Sequence, residues 1–338
     1  MFVLGLDVGL SDLYARLLDV PTQGSPVAVG VGDVCVFPNS PTGHQELYAW
    51  LQLRRAMPAL TAVVMESTGV YWEGIAVRLH TAGFAVSVVN AAQIKYFAKS
   101  MLRRGKTDKM DAELIARYGA TMRPARWTPT EAGLEALRAL VHARDAVVEL
   151  ITLEKGRHHA LDHRHVVQDV VVRLCDERLA LLTQQRDQLN TAIQDAIALP
   201  GRLHVQIDLL ASVPGIGQLT AAVLLSETGH LEDMHRSEQW TAYAGLSPVP
   251  RQSGAMMGRC RISKIGNARL RRAMYMSAVT VSRLSNPLGA YYRRLVEQGK
   301  PKKVALIALA RKLLRICFAV LKTAQPFDPA YQRPLKAA

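Results

Sequence analysis

The sequence lacks closely paired cysteines and long apolar runs, and it has few carboxylates after residue 200. Its four cysteines, at positions 35, 175, 260 and 317, are far apart, which excludes a paired-cysteine metal motif and predicts free thiols in a reducing compartment. No stretch reaches the roughly 20 apolar residues that a membrane helix needs, and the first residues lack the basic segment of a signal peptide. We therefore expect a cytoplasmic protein that enters no membrane.

Positive charge is concentrated in the second part of the chain. The formal net charge is +14, yet residues 1–200 contain 21 Lys and Arg against 21 Asp and Glu. Residues 201–338 contain 21 Lys and Arg against 7 Asp and Glu, and no carboxylate occurs between Glu238 and Glu297. Such a block suits a polyanion, because each phosphate that a cation neutralises releases condensed counterions. A basic surface that only maintains solubility is the alternative.

Apolar periodicity divides the 338 residues into three parts. Strand patterns occur at 2–8, 13–20, 29–37, 61–67 and 84–90, with helical patterns between the later strands and at 108–120. They predict an α/β domain with a mixed sheet over residues 1–128. Helical spacing of Leu and Val over 129–200 predicts a long coiled-coil arm of two helices, bent near 158–168. Residues 201–338 are predicted to form a mostly helical C-terminal domain.

Four carboxylates are placed where they can share one site. Asp7 and Glu66 end predicted strands, and Asp108 and Asp111 lie three residues apart on a predicted helix, so these two share a face. Carboxylates at neighbouring strand ends, joined by a helical pair, can hold Mg²⁺ through hard oxygen ligands. That is the arrangement of RNase H-like nucleases and RuvC-type resolvases. Taken singly, each of these residues is more often a turn or cap residue.

A second interpretation of the start of the chain is less well supported. GLDVGLSD also suits the first phosphate loop of an actin-like ATPase. That fold needs a second glycine-rich phosphate loop, which the sequence does not contain, and it gives the Asp108 and Asp111 pair no role.

The C-terminal part contains a predicted helix-hairpin-helix. VPGIG is flanked by apolar helical segments, and Gly215 and Gly217 allow a tight turn whose following amides can meet a phosphate. The alternative is an ordinary Pro-Gly connection between helices. A hairpin of this kind grips the nucleic-acid backbone without reading its sequence.

A basic block follows the hairpin. Ser253 precedes Gly254 in a predicted polar loop, with Arg251, Arg259, Arg261 and Lys264 close in sequence. By chemistry alone Ser253 is more often a turn serine, and no carboxylate or histidine between 239 and 296 is available as its base. Three arginines of the next helix are predicted to face phosphates: Arg269, Arg271 and Arg272. The last helical stretch, 302–322, also has a basic side, formed by Lys302, Lys303, Arg311 and Arg315.

Four histidines cluster in the arm, at positions 158, 159, 163 and 165. They lie in a charged helical segment without cysteine or a regular ligand spacing. A solvated helix face is therefore the preferred interpretation over a zinc site.

The order of these motifs resembles the DEDD-type transposases of the insertion-sequence one-hundred-and-ten family, which include the Piv DNA invertases. The resemblance runs nearly from end to end and depends on GLDVG, ESTGVYW, KTDKMDAELIARY, SVPGIG, YAGLSP, RQSG and SKIGNARLRRAMYM. It implies that Asp7, Glu66, Asp108 and Asp111 form a metal-binding tetrad for Mg²⁺, with Mn²⁺ as the alternative ion. It also implies that Ser253 is a nucleophile that forms a phosphoserine link to DNA. The AMMG that follows the Ser-Gly step departs from the more polar stretch expected there.

The resemblance implies partners as well. They are double-stranded DNA at the element ends and target, a guide non-coding RNA, and further copies of the chain in a dimer that becomes a tetramer in synapsis. The acidic site of one subunit would then complete the serine site of another, and the arm would serve dimerisation. Two other functions remain open: a metal-dependent, Holliday-junction-type nuclease in which Ser253 is structural, and a non-catalytic nucleic-acid-binding protein.

Overall fold

A computed structural model describes residues 1–21, 29–102, 107–229, 234–253 and 256–330. They belong to two compact units, Met1–Pro129 and Thr130–Ala338. Across these described ranges, no helix combines the length and apolarity required to cross a bilayer.

The first unit is built on a mixed sheet. Its strands are β1 (Phe2–Val8), β2 (Asp12–Asp19), β3 (Val29–Gly30), β4 (Cys35–Pro38), β5 (Thr61–Glu66) and β6 (Ala85–Val89). The order is β3-β2-β1-β5-β6, and β4 also pairs with β2. Strands β1 and β2 are antiparallel, whereas β1, β5 and β6 run parallel. The predicted mixed sheet is confirmed.

The prediction of one continuous strand over 29–37 was wrong. The structure has β3 and β4 instead, and both pair with β2, at Leu18 and Asp19 for β3 and at residues 12–15 for β4. Gly32 between them has φ +72°, a left-handed conformation that interrupts the extended backbone. The apolar pattern alone did not reveal this break.

Helices cover both faces of the sheet. They are α1 (Pro41–Leu53), α2 (Glu73–Thr81), α3 (Ala91–Ser100) and α4 (Asp108–Met122). Leu47 of α1 and Ile75 of α2 share a core with Leu4 and Leu6 of β1. On the other face, α3 and α4 pack against Val3 and Val64, with Ile94 and Ile115 at the centre of that contact.

Helix α4 approaches β1 very closely at Gly5. A Cβ atom at Gly5 would lie 2.3 Å from the Ala116 nitrogen and 2.5 Å from the Ala112 carbonyl oxygen. Gly119, one turn further along α4, has equally little room, because its Cβ would lie 2.6 Å from Val64. Small residues on both elements therefore determine how near the helix lies to the sheet.

The second unit begins with two long helices, α5 (Ala132–Asp162) and α6 (Asp169–Ala198). Residues 163–168 separate them, within the predicted bend at 158–168, and the coiled coil remains a prediction. The two helices run antiparallel, since Arg144 donates to Asn190 near one end and Glu154 meets Arg178 nearer the other. The Glu154 side chain is only 4% exposed and also pairs with Arg157. Its hydrogen bond with Arg178 holds the pKa of this carboxyl at about 2, although burial opposes the shift.

The rest of the second unit is mostly helical, as predicted, but it also contains a hairpin. The elements are α7 (Arg202–Ala211), α8 (Gln218–Thr228), α9 (Ser237–Tyr243), β7 (Pro248–Ser253), β8 (Met256–Ile262), α10 (Ala268–Ser282), α11 (Pro287–Glu297) and α12 (Lys302–Thr323). Their core surrounds the fully buried Trp240 and includes Leu137 of α5 and Ile197 of α6. The base of the two-helix arm is thus part of the same core as the C-terminal helices.

We predict that Gly5→Ala lowers the free energy of unfolding by about 2 kcal/mol, since the added methyl group forces α4 away from β1. Chemical denaturation followed by circular dichroism measures the change. Gly156→Ala is the matched control: a Cβ there meets nothing within 4 Å, so this change should stabilise α5 by about 0.5–1 kcal/mol. Equal effects of the two substitutions would contradict the close-contact explanation.

We predict that Glu154→Gln lowers the thermal midpoint at neutral pH and that this difference disappears in acid. The folded-state pKa is depressed from 4.5 to about 2, so the ion pair stabilises above pH 4.5 and its contribution is lost as the pH falls towards 2. Melting curves between pH 7 and pH 2 measure it. Glu177→Gln is the control, because Glu177 is exposed and lies 3.8 Å from Arg173. A pH-independent difference would exclude the ion pair as its cause.

Candidate metal centre and nucleic-acid contacts

Three carboxylates converge at one edge of the sheet in the first unit. Asp7, at the end of β1, and Asp108 and Asp111, in the first turn of α4, offer oxygen atoms that all lie within 4.8 Å of one another. Asp7 and Asp111 are half-buried and Asp108 is exposed. We call these three residues the carboxylate trio. In the described part of the chain they form the one group of three His, Cys, Asp or Glu side chains that is close enough to hold a metal ion.

The way α4 begins explains the positions of two members of the trio. Thr107 is the N-cap, and its side chain accepts a hydrogen bond from the Met110 amide at 3.3 Å. This begins the helix immediately before Asp108 and places Asp108 and Asp111 in the first turn. The positive end of the helix dipole stabilises negative charge there, which partly offsets the mutual repulsion of the carboxylates.

The side-chain alternation of β1 explains the orientation of the third member, Asp7. Side chains alternate along β1, and Val3 and Gly5 face α4, so Asp7 faces α4 as well. The contact at Gly5 brings the beginning of α4 within reach of Asp7. Glu113 ties the same helix to β2 through an ion pair with Arg16, and it also pairs with Arg117 at 2.7 Å.

Glu66, the fourth predicted member, lies at the same sheet edge but outside the trio. Leu6 is paired with Met65 across β1 and β5, so Asp7 and Glu66 occupy the next positions of the two parallel strands. The Glu66 carboxylate accepts a hydrogen bond from the Thr68 hydroxyl. The structure thus brings together three residues of the predicted tetrad and leaves the fourth on the adjacent strand.

Tyr14 belongs to this site, and sequence analysis missed it. It pairs with Asp7 across β1 and β2, and its hydroxyl is hydrogen-bonded to Asp108. Its pKa is raised above the usual value, first by burial and then by the negative charge of Asp108. The antiparallel register of the first two strands could have identified Tyr14, since it places this residue opposite Asp7.

The donor set fits a hard divalent cation. Three carboxylates supply only oxygen ligands, and Mg²⁺ is typically held by one or two carboxylates together with water and phosphate oxygens. By contrast, the arm histidines make pairwise contacts. The His158 ring lies 3.1 Å from Asp176 and 3.6 Å from Asp162, and His159 packs against His163.

In the second unit, a tight turn over 212–217 joins α7 and α8. Gly215 has φ +81°, and a Cβ there would lie 2.2 Å from Val281 of α10, so both conformation and space require glycine. Gly217 is the N-cap of α8, makes no side-chain cap, and has open space where a Cβ would lie. The first amides of α8 are therefore reachable from outside, as the predicted phosphate contact requires.

Ser253 lies in a hairpin, so the prediction that it lies in a loop was wrong. It is the last residue of β7 and pairs with Met256 of β8, with a register shift between Val249 and Arg251. The alternation expected of strands is obscured here by the two prolines and the bulge. The side chains of Ser253, Arg251 and Arg259 lie outside the described residues, and so does Gly254. Arg261 and Lys264 are exposed.

The three arginines of α10 already have partners within the unit. Arg269 lies 4.0 Å from Asp145, and Arg272 lies 3.0 Å from Glu149. Arg271 donates to the carbonyl oxygens of Ala244, at 2.9 Å, and Lys264, at 3.3 Å. It thereby holds the segment after the hairpin against the end of α9. Their predicted phosphate contacts remain predictions.

A buried polar cluster supports the same segment and was not predicted. Glu227 of α8 accepts hydrogen bonds from His142 of α5 and from Asn267, the N-cap of α10, although its side chain is only 3% exposed. Tyr243 donates to the Glu227 carbonyl oxygen at 2.9 Å. Four elements therefore meet at Glu227, close to the base of the hairpin that carries Ser253.

Two family models match the chain. A DEDD-type model described as "Transposase" matches residues 4–163, and one described as "Transposase IS116/IS110/IS902 family" matches residues 207–293. The first match contains the trio and Glu66, and the second contains the turn at Gly215, Ser253 and the arginines of α10.

Known proteins resemble the chain over most of its length. The pilin gene-inverting protein of Moraxella bovis is 34% identical over 296 residues, which cover 87% of this chain and 90% of the relative. A probable family 20 transposase of Pseudomonas aeruginosa is 26% identical and covers 85% of this chain and 93% of the relative. Among solved structures, Thermus thermophilus RuvC is 18% identical with a TM-score of 0.29, and the match covers 37% of this chain and 99% of RuvC.

We predict that Mg²⁺ raises the thermal midpoint of the protein and that Asp7→Asn abolishes this increase, because the substitution removes a charged ligand from the trio. Thermal unfolding with and without millimolar MgCl₂ measures the shift. Asp19→Asn is the control, since Asp19 lies at the far end of β2 and pairs with Phe2. An unchanged Mg²⁺ response in Asp7→Asn would exclude the trio as the binding site.

Proposed function

We propose that this chain, which belongs to the IS116/IS110/IS902 family of transposases and is therefore a DNA-recombining enzyme, cuts and rejoins double-stranded DNA through a serine and an acidic metal site. The observation that carries the proposal is the convergence of Asp7, Asp108 and Asp111 at the contact between β1 and α4. Family membership supplies the reaction class, and the trio supplies the chemistry that acts on a phosphodiester.

The trio and Glu66 would hold Mg²⁺, or Mn²⁺ in its place. An ion bound there supplies a Lewis acid beside a phosphate oxygen. Tyr14 keeps the Asp108 carboxylate oriented through its hydrogen bond, and the helix dipole lowers the cost of gathering negative charge. Glu66 needs only a side-chain rearrangement to join, because its strand position is adjacent to that of Asp7.

Ser253 would be the nucleophile. Its hydroxyl oxygen forms a bond to phosphorus while the bond from phosphorus to a deoxyribose oxygen breaks, and the leaving oxygen takes up a proton. The phosphoserine ester retains the energy of the phosphodiester, so attack by another DNA end rejoins the strand and restores the serine. The exposed Arg261 and Lys264 would neutralise phosphate charge near the hairpin.

The serine needs a base from elsewhere, because no carboxylate or histidine lies between 239 and 296. We propose that the trio of a second copy of the chain receives the serine proton. The α5 and α6 pair would form a coiled-coil arm that joins the copies in a dimer and, in synapsis, a tetramer. Support comes from apolar side chains that the arm leaves exposed: Leu150, Leu153, Leu174 and Leu181.

The DNA contacts would be shared among several elements. The turn at Gly215 and Gly217 would act as a helix-hairpin-helix on the phosphate backbone, which supports binding without sequence reading. Sequence choice would come from a non-coding RNA that guides the protein to element end and target. In this proposal the parts 1–128, 129–200 and 201–338 hold the metal, join the copies and bind DNA, respectively. The reaction would take place in the bacterial cytoplasm, where the DNA is.

A second candidate is a structure-specific nuclease that uses the acidic site alone. A metal ion held by the trio would activate water for phosphodiester hydrolysis without any role for Ser253. In that case the hairpin would only hold DNA.

We predict that the protein with Mg²⁺, element-end DNA and its flanking transcript yields a denaturation-resistant protein–DNA adduct that maps to Ser253. Ser253→Ala should abolish the adduct, since it removes the attacking oxygen. Gel electrophoresis under denaturing conditions and peptide mass mapping measure it. Ser263→Ala is the control, because the Ser263 hydroxyl makes a local hydrogen bond with the Ile265 amide and has no proposed role in the reaction. This variant should still form the adduct.

The outcomes separate the candidates. Cleaved DNA without an adduct would favour the nuclease. Neither cleavage nor adduct, with DNA binding intact, would favour a protein that only binds nucleic acid.

A further inference from the structure

The last three helices carry more positive charge than their surroundings neutralise. Between residues 268 and 323 there are thirteen Lys and Arg and a single carboxylate, Glu297. Several of these cations have partners elsewhere in the unit, as described for the arginines of α10 and as seen for Arg315, which lies 3.1 Å from Glu238. A cation whose charge is already balanced by a carboxylate gains less from a further anion.

Two cations are arranged differently. Arg294 of α11 and Lys312 of α12 both lie over the ring of Tyr291, with Cζ of the arginine 5.6 Å and Nζ of the lysine 4.3 Å from the ring centre. Neither forms an ion pair with a carboxylate anywhere in the described ranges. Glu297 lies one helical turn beyond Arg294 but makes no ion pair with either cation.

This arrangement is electrostatically unsatisfied. The pKa of Lys312 is lowered, first by partial burial and then by the positive charge of Arg294. The π face of Tyr291 attracts both cations but carries no net negative charge. A phosphodiester would supply the missing negative charge, because its two non-bridging oxygens can accept from the planar guanidinium and from the ammonium together.

We propose that Arg294 and Lys312, held on the ring of Tyr291, bind a phosphodiester of duplex DNA. The site lies between α11 and α12 and differs from the basic positions near Ser253 and on α10. It rests on the proposed function only in taking duplex DNA as the partner, and it requires neither serine chemistry nor a metal ion.

The test is DNA binding by the full-length protein without Mg²⁺. Fluorescence anisotropy with a 30-base-pair duplex of arbitrary sequence gives Kd over a series of salt concentrations. For Arg294→Gln/Lys312→Gln, Kd at 0.1 M salt should rise about tenfold. The slope of log K against log salt should become shallower by about one, since the two cations share one phosphodiester and each phosphate contact contributes about 0.9.

A matched double variant controls for the loss of two positive charges. Arg173→Gln/Arg186→Gln removes two arginines of α6 whose neighbours are Glu177, at 3.8 Å, and Asp187, at 2.8 Å. Its salt slope should equal that of the unsubstituted protein. Circular dichroism melting curves verify that both variants fold.

A salt slope that is unchanged in Arg294→Gln/Lys312→Gln, or reduced equally in the control, would overturn the proposal. So would a loss seen with single-stranded RNA of equal length but not with the duplex. Because the assay detects binding alone, absence of the Ser253 adduct would leave this site intact. An adduct that forms normally beside an unchanged slope would reject this site alone.

Discussion

The close contact between β1 and α4 at Gly5 is the constraint on which the acidic site depends. A helix that packs over a glycine lies nearer to the sheet than one that packs over a larger side chain, and Ala112, Ala116 and Gly119 continue this contact along α4. The first turn of the helix consequently reaches the end of β1, where Asp7 lies. Three like charges can gather there because the start of a helix offers positive potential and an ion can complete the balance.

The second unit differs from the first in its excess of positive charge. It balances some arginines internally, through Asp145, Glu149 and Glu238, and these interactions join helices that are distant in sequence. Arg294 and Lys312, on the ring of Tyr291, form no ion pair with a carboxylate of the described residues, and there an external anion would supply the negative charge. Arginine therefore joins helices at one position and is a candidate DNA contact at another. The difference is whether its side chain forms an ion pair with a carboxylate.

Much of the first unit could be predicted because its signals are local. Apolar patterns located the strands at 2–8 and 61–67, and the helical pattern that begins at residue 108 placed Asp108 and Asp111 on one face of α4. The break between β3 and β4 was missed because it depends on the left-handed conformation of Gly32. The alternation of apolar residues carries no information about backbone φ. The hairpin around Ser253 was missed because prolines and a bulge hide the strand alternation.

The sequence by itself determined which groups are present and which local elements carry them. It identified the carboxylates at strand ends and at a helix start, the long helices of the arm, and the basic excess after residue 200. Only the tertiary structure decided which groups meet. It placed Tyr14 beside Asp108, left Glu66 outside the trio, and paired Arg272 with Glu149. Helix and strand formation follow from neighbours in the chain, whereas contacts between side chains depend on packing across elements that are far apart in sequence.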